Sequence, residues 1–129
     1  MKNLLVLIAI LLAAPAFAAP APQPLVGKWQ SIDDAKSFVE AKADGTWIDT
    51  YSGMPDATTI SHWLIFNGSH PPKESQGQLM AGPIAGQSYL EVKDKDGDYL
   101  FYGLDHVDQK ALQLTYLGRG NILSYKRVK

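Results

Sequence analysis

Three aspartates, Asp94, Asp96 and Asp98, alternate along the chain as the first, third and fifth ligands of a calcium-binding loop do. Such a loop also needs glycine at its sixth position and an acidic residue at its twelfth. The sixth position here is Tyr99, although Asp105 falls at the twelfth. The pattern therefore favours a solvated hairpin turn over a calcium site.

The histidines of the chain are His62, His70 and His106, and none belongs to a paired ligand motif such as H-x-H or H-x-x-x-H. We therefore expect no metal and no cofactor. Nucleophilic catalysis would need a serine or cysteine beside a histidine. Cysteine is absent, and the adjacent Ser61 and His62 would project from opposite faces of a strand. No catalytic set can be named, so we do not expect an enzyme.

His62 belongs to an alternating segment that continues through Phe66. A histidine in such a segment is most often a hydrogen-bonded interior residue. If this face points inward, both side chains would join inward residues of the preceding strand to form a polar patch in an apolar cavity, which is an arrangement that orients a small ligand. The candidate ligand-binding residues are then Trp47, Asp49, Tyr51, His62 and Phe66.

The first 18 residues have the composition of a secretory signal peptide. One cation, Lys2, precedes the apolar run 4–14, and the segment ends in the small-residue pattern Ala16-Phe17-Ala18. We predict cleavage after Ala18 and a periplasmic or secreted location. The apolar run is too short to cross a bilayer as a helix, which needs about 20 residues, so no membrane anchor is expected.

The remaining residues, 19–129, carry 11 Lys and Arg, since Lys2 is lost from the 12 of the full chain, against 13 Asp and Glu. This slightly acidic balance has no long charged run, so no binding of nucleic acid is expected. Residues 19–24 alternate Ala and Pro around one Gln, which is typical of an extended spacer. Residues 25–129 are then expected to form one domain without disulfides.

From Leu25 onward, apolar and polar residues alternate in short segments that end at Gly, Asp, Asn or Pro. The pairs Asp44-Gly45 and Asp96-Gly97 mark tight hairpin turns. Successive hairpins predict an all-β fold, a single up-and-down antiparallel barrel of about eight strands, whose interior side chains or one small ligand can fill. The expected strands are residues 26–31, 37–43, 46–52, 59–66, 77–81, 87–93, 98–105, 111–117 and 121–128.

The residues Leu-Val-Gly-Lys-Trp-Gln-Ser at 25–31 resemble the G-x-W opening of the lipocalin and calycin barrels. In that family the first-strand Trp packs at the closed end of the barrel, and a basic residue of the last strand lies across its ring. The resemblance implies that Gly27 and Trp29 hold the opening positions and that Arg127 is the basic partner, with Arg119 as second candidate. Such a contact is a structural latch, favourable by about 0.5–2 kcal/mol.

The chain is most similar to small bacterial exported lipocalin-like domains, because the long C-terminal helix and the disulfide of the classical family have no counterpart here. The resemblance implies a binding module for a small apolar or amphipathic ligand. Two alternatives stay open: a protein-binding inhibitor of an envelope or secreted hydrolase, and a structural envelope protein with a filled barrel. The irregular segment 67–76 could be a lid over one mouth or a plain surface excursion. The ligand and the oligomeric state stay open.

Overall fold

The computed structural model describes residues 23–78 and 83–129. The expected signal peptide and the first four residues of the expected spacer lie outside this part of the chain, as do residues 79–82. In the described part, no helix has the length and apolar character needed to cross a membrane.

Eight antiparallel strands pair in chain order and close into a barrel, because the last strand also pairs with the first. This confirms the predicted all-β up-and-down barrel. The strands are β1 (Gly27–Ser31), β2 (Ser37–Ala41), β3 (Thr46–Tyr51), β4 (Thr59–Asn67), β5 (Ser88–Lys93), β6 (Tyr99–Val107), β7 (Ala111–Tyr116) and β8 (Ile122–Arg127).

The strand expected at residues 77–81 is wrong over its described part. Gln76–Gln78 forms a short 3-10 helix instead, and the rest of that segment lies outside the described residues. The physical reason is closure: β4 pairs directly with β5, so the sheet has no place between them for a further strand.

The connections between strands define two ends of the barrel. We call one end the base. It carries the β2–β3, β4–β5 and β6–β7 connections together with the start of β1 and the end of β8. The other end, which we call the mouth, carries the β1–β2, β3–β4, β5–β6 and β7–β8 connections. Both expected Asp-Gly turns form, with φ of 91° at Gly45 in the base and 84° at Gly97 in the mouth.

Alternate residues of each strand converge on the interior, where the main core includes the three tryptophans Trp29, Trp47 and Trp63. Trp47 directly follows the β2–β3 turn, and the Trp63 indole nitrogen donates a hydrogen bond to the Lys42 carbonyl oxygen in that turn (3.0 Å). The tryptophans therefore fill the interior toward the base. The other buried members of this core are Leu25, Val39, Ala41, Leu90, Val92, Leu112, Leu114 and Tyr125.

A second apolar cluster lies on the outer wall of the barrel, where the rings of Phe66, Tyr89 and Phe101 are buried together. The described parts of the β4–β5 connection pack over this wall. The Ile84 backbone N–H donates to the Tyr89 hydroxyl (2.8 Å), and the buried Ser75 hydroxyl bonds to the buried carboxylate of Glu91. The lid considered for this segment is therefore wrong, because the connection leaves the barrel at its base and lies against its side.

Gly68, the first residue of that connection, has no room for a side chain. The carbonyl of Ile84 and the ring of Tyr89 occupy the space that a Cβ would take. Gly68→Ala is therefore expected to lower the free energy of unfolding by about 1–3 kcal/mol, as extra atoms in packed sites do. Gly77→Ala is the matched control, because nothing lies within 4 Å of its Cβ position. Equal urea midpoints for the two variants would contradict the close packing of the connection on the wall.

Candidate functional site

Trp29 closes the base of the barrel. Its side chain is fully buried, and its backbone on β1 lies directly opposite Arg127 on β8. The Arg127 guanidinium carbon lies 4.1 Å from the centre of the Trp29 ring, and the indole nitrogen donates a hydrogen bond to the Leu25 carbonyl (2.9 Å). The first and last strands are thus joined by side chains as well as by backbone pairing.

The Arg127 guanidinium also donates hydrogen bonds to four backbone carbonyls. These carbonyls belong to the segment before β1 and to the β6–β7 connection, so one side chain joins three parts of the base. Arg119, the second candidate for this role, is exposed in the β7–β8 connection at the mouth. The acceptors of Arg127 are Gln109 (2.8 Å), Val26 (2.8 Å), Pro24 (2.6 Å) and Asp108 (3.0 Å).

Gly27 makes room for this guanidinium. Its φ is +141°, a conformation that favours glycine, and a Cβ at this position would collide with the Nη1 atom of Arg127. The G-x-W spacing therefore has a steric reason. Trp29 supplies the ring. Gly27, two residues earlier on the same face of β1, leaves space for the cation that covers this ring.

Further from the base, the interior contains one carboxylate and three tyrosines that face it. Asp49 is on β3, and Tyr102, Tyr116 and Tyr125 are on β6, β7 and β8. In a closed eight-strand order β3 lies opposite β7, so the carboxylate faces the phenols across the barrel. The Tyr102 and Tyr116 ring centroids are 5.5 Å apart. We call these four residues the acid–tyrosine cluster.

The surroundings of three members of the acid–tyrosine cluster, Asp49, Tyr102 and Tyr125, raise their pKa values. Burial raises the pKa of Asp49 above its usual 3.8, although hydrogen bonds from Thr59 and Trp47 lower it in part. Burial, and then the charge of Asp49, raises the pKa of Tyr125 to about 12. The same two causes, in the same order, raise the pKa of Tyr102. Burial and the Asp49 charge thus both favour the neutral form of these two phenols.

The acid–tyrosine cluster has hydrogen-bonding capacity that the described residues leave unused. Asp49 accepts a hydrogen bond from the Thr59 hydroxyl (3.3 Å). Within residues 23–78 and 83–129, the hydroxyls of its three tyrosines make no hydrogen bond, yet no buried side-chain polar atom there lacks a partner. The three hydroxyls therefore reach solvent-accessible space. At this level the interior therefore presents polar groups to solvent.

The structure divides the sequence-predicted ligand-binding residues into two groups. Trp47, Asp49 and Tyr51 share the inward face of β3, and Tyr51 lies beside the mouth, where the charge of Asp34 raises its pKa. The inward orientation considered for His62 and Phe66 is wrong. Register places the odd-numbered residues of β4 inward, so these two side chains point outward.

The outward residues of β4 have separate surroundings. Phe66 is buried in the outer-wall cluster, whereas His62 is exposed and lines a surface cleft of about 580 Å³ beside the β5–β6 turn. In that turn the Asp94 carboxylate accepts hydrogen bonds from the backbone N–H groups of Asp96 and Asp98 (both 2.9 Å). No group of three or more potential metal ligands forms among the residues described.

The tyrosines of the acid–tyrosine cluster were not among the sequence-predicted site residues. Each alternates with inward aliphatic residues, as Tyr116 does with Leu112 and Leu114 on β7. The sequence feature that could have identified them is an inward tyrosine on each of three successive strands. Recognising that these tyrosines lie together requires the pairing register of the strands, which the sequence alone does not provide.

Comparisons with known protein families, with curated proteins and with solved structures found no match. The fold and the site therefore define the class of protein here. It is an eight-stranded antiparallel barrel whose base is closed by a Trp–Arg contact and whose interior carries an acid–tyrosine cluster.

Proposed function

We propose that this protein is an exported, lipocalin-like binding module that holds one small amphipathic molecule inside its barrel. The closed eight-strand topology and the guanidinium over the first-strand indole support the lipocalin-like class. The signal-peptide composition of residues 1–18 supports export to the periplasm or the exterior. The proposed role is binding rather than catalysis, since the acid–tyrosine cluster contains no nucleophile with a base beside it.

One observation carries the proposal: the interior tyrosine hydroxyls reach accessible space instead of protein partners. A barrel that serves only as a scaffold is filled by its own side chains. Here the base is filled by tryptophan and aliphatic residues, whereas the level of Asp49 presents polar groups. An apolar wall with a few convergent polar groups is the usual character of a small-molecule site.

Native mass spectrometry of protein purified without detergent from its own host tests the proposal. We expect a species heavier than the bare chain by one small organic molecule. Adding a ligand at one hundred times its Kd should stabilise the fold by about 2.7 kcal/mol. For a domain of this size that corresponds to an increase in Tm of roughly 10 °C. Only the bare mass, together with no thermal shift from any amphiphile tried, would contradict a binding function.

A further inference from the structure

We infer that the ligand is an organic cation, an amine or quaternary ammonium group on an apolar tail, held with its charge between Asp49 and the facing tyrosines. The inference rests on the proposed binding function and adds the chemical class of the ligand. Four observations support it: the charge of the site, its aromatic walls, the unused hydroxyl of Tyr125 and the apolar side chains around the mouth.

The charge of the interior is uncompensated by the described protein. Asp49 is half-buried, and no described Lys, Arg or His forms an ion pair with it. The contact between the His106 ring and the Asp108 carboxylate (2.8 Å) is on the surface at the base. Arg127 is engaged by Trp29 and by backbone carbonyls. A carboxylate removed from water without a cation is costly, and a bound cation would offset that cost.

The walls opposite Asp49 are suited to a cation. Aromatic faces attract ammonium groups, and cages of several rings recognise quaternary or methylated amines. The rings of Tyr102 and Tyr116 are inclined by 45° with centroids 5.5 Å apart, so two aromatic rings lie side by side on the wall opposite Asp49. Phenol oxygens add hydrogen-bond acceptors for a protonated amine. An anionic headgroup would meet the like charge of Asp49 instead.

Tyr125 provides an observation that is independent of charge. Its residue is only 8% exposed, yet within the described ranges its hydroxyl makes no hydrogen bond to the protein. The hydroxyl therefore reaches solvent-accessible space, because no buried side-chain polar atom of the described residues lacks a partner. A polar group of the ligand would take the place of solvent at this hydroxyl.

The mouth is lined on its outer side by exposed apolar residues. Ile32 in the β1–β2 connection is 60% exposed, Met54 in the β3–β4 connection 55%, and Ile122 at the start of β8 56%. Each alone is unremarkable for a protein surface, but all three lie at the mouth end of the barrel. A tail that leaves the barrel by the mouth would contact them. The headgroup therefore enters first, and the tail lies toward the rim.

Isothermal titration calorimetry with three ligands of equal tail length tests the inference. The probes are dodecyltrimethylammonium, dodecanoate and dodecanol, each below its micelle concentration, with the wild-type protein at pH 7.5. We expect the ammonium compound to bind at least about tenfold more tightly than dodecanoate, which corresponds to roughly 1.4 kcal/mol. Asp49→Asn should remove that preference. Asp56→Asn, an equal charge change in the β3–β4 connection, is the matched control and should keep the preference.

The pH dependence gives a second readout, because the charge of a quaternary ammonium does not change with pH. Burial raises the pKa of Asp49, so the ammonium affinity should fall as pH drops through that raised value and the carboxylate is protonated. Thr59, Trp47 and the phenols of Tyr102 and Tyr125, which act on Asp49 or are acted on by it, do not gain charge in that range. The decline should be absent in Asp49→Asn.

The outcomes separate the inference from the proposed function. If dodecanol and dodecanoate bind as tightly as the ammonium compound, the barrel binds ligands but the inference is overturned. If none of the three binds, the inference is overturned, and the native mass then decides whether the proposed binding function stands. If Asp49→Asn fails to fold, as circular dichroism would show, the wild-type comparison and its pH profile still decide the matter. A preference equal in Asp49→Asn and wild type would also overturn it.

Discussion

Arg127→Ala is expected to lower the free energy of unfolding by about 3 kcal/mol or more. The substitution removes the donor of four backbone carbonyls and the cation over Trp29. A hydrogen bond to a charged group contributes roughly 1.5–3 kcal/mol, and carbonyls left without a donor in a partly buried site add a desolvation cost. The effect is large because this one side chain joins the segment before β1, the β6–β7 connection and β8.

Urea unfolding of three arginine variants measures this effect. Arg127→Lys keeps the charge but cannot reproduce the planar guanidinium. Its free energy of unfolding should therefore lie between those of wild type and Arg127→Ala. Arg119→Ala is the matched control, because Arg119 is exposed in the β7–β8 connection and its removal should change stability by less than about 0.5 kcal/mol. An Arg127→Ala protein as stable as Arg119→Ala would show that the base is held without the guanidinium.

Trp29→Ala is expected to lower the free energy of unfolding by about 3–5 kcal/mol, as truncation of a fully buried large aromatic side chain does. The substitution opens a cavity at the base and leaves the Leu25 carbonyl without its indole donor. Trp29→Phe should cost less, because it keeps most of the packing and loses the hydrogen bond. Thermal and urea unfolding of the two variants measure the difference.

A double-mutant cycle between Trp29 and Arg127 isolates the contact between them. The guanidinium lies 4.1 Å from the ring centre, so we expect a coupling energy of about 0.5–2 kcal/mol. The cycle uses Trp29→Phe and Arg127→Lys, because these conservative substitutions destabilise the fold less than alanine does and keep the variants folded. A coupling energy of zero would mean that the two residues stabilise the base independently.

The barrel could be predicted from sequence because its local signals agree. Alternation marked the eight strands that form, and the Asp-Gly pairs marked two turns whose glycines have positive φ. The G-x-W opening and a basic residue near the C-terminus suggested the pair that the structure places in register, Trp29 opposite Arg127. These features depend on neighbours in sequence or on a motif at each end of the domain, so no pairing register was needed.

The orientation of the β4 side chains could not be predicted, because both faces of this region carry apolar residues. On β5, four consecutive residues, 89–92, are buried, since the interior covers one face and the β4–β5 connection covers the other. Alternation of apolar and polar residues then does not distinguish the two faces, and Phe66 was considered an interior residue although it packs on the outer wall. His62 lies on the same face of β4 as Phe66, so its predicted orientation was wrong as well.

The acid–tyrosine cluster was only partly predictable for a different reason. Asp49 was recognised from its own strand, where it alternates with Trp47 and Tyr51. The tyrosines that face it come from three strands more than 50 residues later in the chain, and their convergence depends on the register of every intervening pair. Closure of the barrel, rather than any local pattern, brings them opposite the carboxylate.

Intermolecular NOEs between bound dodecyltrimethylammonium and the protein locate the ligand most directly. We expect contacts from the ammonium methyl protons to the ring protons of Tyr102 and Tyr125, with tail protons near Ile122 at the mouth. Contacts confined to the outer surface, such as His62 in its cleft beside the β5–β6 turn, would contradict binding inside the barrel.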